Sequence, residues 1–80
     1  MNAHTKIEAA AEPDQRALER AAFIRLALTQ KRLSWVAHRW ADADALRGDS
    51  AAYKASRAEA HRLRTAAKWH LDMARRRDPK

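Results

Sequence analysis

The stretch Ala45-Leu46-Arg47-Gly48-Asp49-Ser50-Ala51 decides how this chain folds, because it holds the sole glycine. Glycine enters the left-handed backbone region without a steric penalty, so Gly48 is suited to end a helix. Asp49 or Ser50 can cap the next one, since a short side-chain oxygen accepts from the free N–H groups of a first turn. Between Pro13 and Leu46, and again between Ala51 and Arg77, nothing breaks a helix, and Asp78-Pro79 stops the second run. Pro13 can open the first helix, with Asp14 favoured there by the helix dipole. Arg75, Arg76 and Arg77 close the second, where the dipole favours cations.

The expected fold is therefore all-α: a long antiparallel hairpin with helices over about 14–46 and about 51–77. Upstream, Thr5-Lys6-Ile7-Glu8 fits a capping box and predicts a short helix over about 6–12. Residues 1–80 read as one helical domain. Its helix lengths and loop resemble those of antiparallel hairpins that pair into four-helix bundles.

Composition narrows the function classes. The chain has 80 residues, no cysteine, and 37 apolar residues of which 20 are alanine, leaving 17 larger ones against 17 Lys and Arg. Only 11 residues are Leu, Ile, Val or Phe, which beside a net charge of +7 would ordinarily mark disorder. One glycine and two prolines do not fit low-complexity disorder, so an Ala- and Arg-rich helical chain remains. A multi-domain enzyme, a β-rich fold and a disulfide scaffold are poorly supported. Residues 1–12 lack a secretory pattern, and no run approaches the roughly 18 apolar residues of a membrane helix. With no cysteine, the expectation is a cytoplasmic protein with no membrane contact.

Helix periodicity predicts the core. The first helix carries an unbroken 4-3-4-3-4-3 row: Ala22, Leu26, Thr29, Leu33, Val36, Trp40 and Ala43. The second carries Tyr53, Ser56, Ala60, Leu63, Ala67, His70 and Ala74. Read as facing heptad seams, these put Leu33 opposite Leu63 and Leu26 near His70. Such a seam buries few methylenes. Further apolar residues, Ile24, Leu28 and Trp35 on the first helix and Trp69 and Met73 on the second, lie off it. A lone hairpin cannot cover them, so these five are the expected protein interface, serving a homodimer or a larger protein partner.

Charge points to a second partner. Residues 50–80 hold 9 basic and 3 acidic side chains, whereas residues 1–49 hold 8 and 7. Lys54, Arg57, His61, Arg64, Lys68 and Arg75 follow helical spacing along one face of the second helix, with Asp72 the only acidic residue in that row. A cationic row of this kind can track a phosphate backbone by displacing condensed counterions. Arginine outnumbers lysine by 12 to 5, which suits bidentate phosphate contact. Arg25, Arg32 and Arg39 recur every seven residues on the first helix and read best as solvent-reaching side chains along the apolar boundary.

Chemistry beyond binding has little basis. His38 and Asp42 stand one turn apart, but mixed ligands without cysteine are weak grounds for a metal site. No phosphate-cradling glycine loop, nucleophile elbow or HExxH helix occurs. The expectation is a non-enzymatic regulatory or accessory protein without cofactor or metal, contacting DNA or RNA through the basic row. The alternative is an adaptor or inhibitor that docks its off-seam Trp, Leu and Ile residues on a larger protein.

Overall fold

A computed structural model describes residues 14–78. Two helices, α1 (Gln15–Leu46) and α2 (Ser50–Arg75), pack against each other along their length. No strand occurs among the described residues. The expected all-α hairpin is thus present, with helix ends within two residues of those expected. The helix expected over 6–12, with its Thr5–Glu8 capping box, and Pro13 lie outside the described residues.

The turn forms as its residues dictate. Gly48 has φ +74°, in the left-handed region. Its N–H donates to the Ala45 carbonyl at 3.0 Å, and the Asp49 N–H donates to the Asp44 carbonyl at 2.9 Å. This pair of bonds is the Schellman closure, which satisfies carbonyls that a helix end leaves free. Asp49 then caps α2 by accepting from the Ala52 N–H at 3.0 Å. Asp14 stands at the start of α1 without a side-chain cap.

The α2 seam lies where periodicity placed it: Ala60, Ala67 and Ala74 are buried, and Tyr53, Ser56, Leu63 and His70 are half-buried. The expected α1 seam is corrected. Leu26, Leu33, Val36 and Trp40 are exposed, Trp40 by 60%. The residues that face α2 are Arg20, Phe23, Ala27, Gln30, Ser34, Ala37, Ala41 and Asp44, which obey the same 3-4 spacing on an adjacent stripe. Every buried hydrophobic side chain among the described residues is an alanine.

Satisfied polar groups explain why the small stripe wins. Ser34 Oγ donates to the Ala60 carbonyl at 2.8 Å, and Ser56 Oγ donates to Asp44 Oδ2 at 3.0 Å. His70 Nδ1 lies 2.7 Å from Gln30 Oε1. A serine can reach a carbonyl of the opposite helix only where the backbones approach closely, and alanine facing alanine allows that approach. No buried side-chain nitrogen or oxygen of the described residues lacks a partner. Level along the axis was legible from the sequence; facing was not. His70 meets Gln30 and stacks on Phe23 at 5.7 Å rather than packing on Leu26.

The open end of the hairpin is tied by charge. Arg20 meets Asp78 at 2.5 Å, and Arg77 Nε donates to Glu19 Oε1 at 2.9 Å. Arg77 also lies over the Phe23 ring, 4.7 Å from its centroid.

Candidate nucleic-acid interface

Two packed helices make a flat layer with two broad sides. An α-helix turns about 100° per residue, and an antiparallel partner reverses the sense of that rotation. With the seams facing inward, the exposed α1 row from Ala22 to Ala43 shares one broad side with Ala55, Ala66, Trp69 and Met73 of α2. Trp69 accordingly meets Phe23 edge-to-face at 6.2 Å. On this side Glu59 and Arg62 neutralise each other at 2.5 Å. The Arg62 guanidinium, chiefly by hydrogen bonding, holds the Glu59 carboxyl below its ordinary value, and Glu59 raises Arg62 in return. This side is chiefly apolar, with Arg39 at its edge in a hollow shared with Val36 and Trp40.

The other broad side carries the basic row. Lys54, Arg57, His61, Arg64, Lys68 and Arg75 are all exposed. Ile24 of α1 shares a shallow groove with Leu71 and Arg75 of α2, which confirms that α1 residues from this stripe border the row. The same rotation brings the exposed Asp42 of α1 to this side, and also Lys31, a cation that sequence periodicity did not group with the row. The misplaced α1 seam concealed it. Across 54–75 the row extends about 32 Å.

The charges are sorted. Ion pairs among the described residues join Arg20 to Asp78, Arg47 to Asp44, Arg62 to Glu59, Arg76 to Asp72, and Arg77 to Glu19. Every carboxylate so engaged takes its arginine from off the row. None of the row's cations forms an ion pair with a described residue. Arg57 is held by its neighbour instead: its Nη1 donates to the Tyr53 hydroxyl at 3.2 Å, with the guanidinium 5.7 Å from that ring's centroid.

The residues expected to form a protein interface do not make one patch. Trp69 and Met73 belong to the apolar broad side. Ile24 borders the basic side, half-buried beside Leu71. Leu28 and Trp35 are exposed toward the outer edge of α1, lining a hollow with Lys31, Arg32 and Val36. Arg39 lies 5.3 Å from the Trp35 ring centroid. Of Arg25, Arg32 and Arg39, all point away from α2, between the two apolar stripes of α1.

No group of three or more His, Asp or Glu side chains among the described residues is placed to hold a metal ion. No described helix is long and apolar enough to cross a membrane. No family model, curated protein or solved structure matches this chain.

Proposed function

We propose that this chain is a small non-enzymatic protein that binds DNA or RNA along the phosphate backbone, using the basic side of the hairpin. The observation that carries the reading is the sorting of charge. Lys54, Arg57, His61, Arg64, Lys68 and Arg75 are exposed on one side and unengaged by any described carboxylate, while the paired arginines lie elsewhere. A merely solvated helix face mixes signs freely, whereas the one carboxylate within this row, Asp72, is paired with Arg76 and leaves the row's cations unengaged. The length of the row, about 32 Å, approaches one turn of duplex. A flat row without a projecting recognition helix favours backbone contact over base readout. Lys31 adds a cation from α1, and the Tyr53 hydroxyl orients Arg57.

Binding of this kind weakens linearly as salt rises on a log–log plot, with a slope of about −0.9 for each phosphate neutralised on duplex DNA. Fluorescence anisotropy with a labelled duplex and a single-stranded RNA, from low to physiological salt, reads that slope. The triple variant Arg57→Ala, Lys68→Ala and Arg64→Ala should lose about 3 in slope on the duplex. A variant that binds as tightly as the parent, with an unchanged slope, overturns the reading.

A further inference from the structure

We propose that two copies of the chain pack apolar side to apolar side, and that the resulting four-helix dimer bridges two nucleic-acid segments. The dimer rests on the hairpin alone; the bridging rests also on the proposed binding through the basic row.

The apolar side needs a cover that the hairpin does not contain. Leu33, Val36, Trp40 and Trp69 stand between 46% and 60% exposed there, while every buried hydrophobic residue among those described is alanine. The hairpin thus encloses its smallest apolar side chains and leaves its largest outside, the reverse of a free-standing core.

Three observations favour a second copy as the cover. The first is pattern. The α1 row keeps heptad spacing over seven positions, with Leu33 at its midpoint and alanine at both ends, Ala22 and Ala43. About a twofold axis at Leu33 the row meets its own copy reversed, with Leu26 facing Trp40 and Thr29 facing Val36, the i-to-j and j-to-i pairing of a twofold contact. The second is area. At 1.5 Å per residue the row covers about 32 Å, and two helices 8–10 Å apart present a strip about 20 Å wide. The product, about 600 Å² before side-chain relief, approaches the 800 Å² or so that each partner gives to a stable interface. The third is charge. The chain carries +7, and two copies meeting through the basic side would repel. The apolar side, with Glu59 and Arg62 paired to each other, is where two copies meet without that cost.

Packing these sides together turns the two basic rows outward on opposite surfaces of the bundle. They face away from each other, so one straight duplex cannot lie on both. Each row takes its own segment, and the dimer holds two segments together.

Sedimentation equilibrium or native mass spectrometry of the full chain reads the dimer directly. Twice the 9.1 kDa chain mass at micromolar concentration is expected. The melting temperature should rise with protein concentration, as it does when folding and association are coupled. A monomer with a concentration-independent melt overturns the proposal, and both readouts use the parent chain. Bridging is read by immobilising one duplex and measuring capture of a second, labelled duplex. The parent captures it. The double variant Leu33→Glu, Trp40→Glu should sediment as a monomer and lose capture, whether or not it keeps its helix content. The triple variant Arg57→Ala, Arg64→Ala, Lys68→Ala should remain a dimer yet bind and capture duplex more weakly, with the salt slope reduced by about 3. If it binds and captures as the parent does, the basic-row reading fails and the dimer stands. If the parent is a dimer that binds one duplex but captures no second, the bridging inference fails while the binding reading stands.

Discussion

The Ser34 hydroxyl donates to the Ala60 carbonyl at 2.8 Å and joins the middle of α1 to the middle of α2, both residues being buried. A side chain of two heavy atoms spans the gap between helices, so that gap is set by alanine-sized contacts. Ala27, Ser34 and Ala41 recur every seven residues on α1, as do Ala60, Ala67 and Ala74 on α2. Ser34→Ala should cost about 0.5–1.5 kcal/mol, because one neutral hydrogen bond goes and the carbonyl keeps its place in the helical ladder. Ser34→Leu should cost more, about 1–3 kcal/mol, by forcing the backbones apart. Urea denaturation followed by circular dichroism ranks the two. Tolerance of leucine better than alanine would refute close small-residue packing.

Asp44 tests the polar end of the same seam. It is 4% exposed, accepts from Ser56 Oγ at 3.0 Å, and is paired with Arg47. Asp44→Ala leaves the Ser56 hydroxyl without its partner and should destabilise by about 1–3 kcal/mol. Ser56→Ala should cost about 0.5–1.5 kcal/mol. In a double-mutant cycle the two effects should fall short of additive by at least 0.5 kcal/mol or so. Full additivity would mean the bond seen at 3.0 Å contributes nothing.

Gly48 is the position where backbone conformation alone decides. A Cβ there meets no atom within 4 Å, yet φ is +74°. Gly48→Ala should therefore cost about 1–2 kcal/mol through left-handed strain and not through a clash. Gly48→Asn should recover part of that loss, since asparagine tolerates this region better. Equal thermal melts for glycine and alanine would show that the turn rearranges.

The turn, the helix ends and the α2 seam were legible because each rests on local signals: a lone glycine, a capping aspartate, and a single clear stripe of small residues. The α1 seam was not. That helix carries two heptad stripes side by side, Leu26–Leu33–Trp40 and Ala27–Ser34–Ala41, one residue apart. Hydrophobicity favours the first, but the hairpin closes on the second, because Ala27, Ser34 and Ala41 let the backbones approach the alanines of α2 and because Ser34, Gln30 and Asp44 find hydrogen bonds across the gap. The same two-stripe ambiguity extends to the site. With α1 turned to the wrong face, Lys31 could not be grouped with the basic row, and Trp35 and Trp69 seemed to share a surface that they do not.

Acid should loosen the open end of the hairpin first. Arg77, mainly by its hydrogen bond and with help from Gln15, holds the Glu19 carboxyl below its ordinary value of 4.5. A carboxyl whose folded value is depressed contributes stability that is present above the ordinary value and lost as pH falls through the folded one. Melting temperature should therefore hold steady from neutral pH down to about 5 and decline below the ordinary carboxylate range. Glu19→Gln should lower the plateau slightly and flatten the decline, since the glutamine does not titrate. The effect is small and should shrink in high salt, because the pair is only half-buried and is screened. Amide hydrogen exchange near Phe23 and Met73 should quicken on acidification before exchange near Ala60 does. Exchange that quickens first at the Gly48 turn would place the acid-labile contact at the other end of the molecule, beside Asp44 and Arg47.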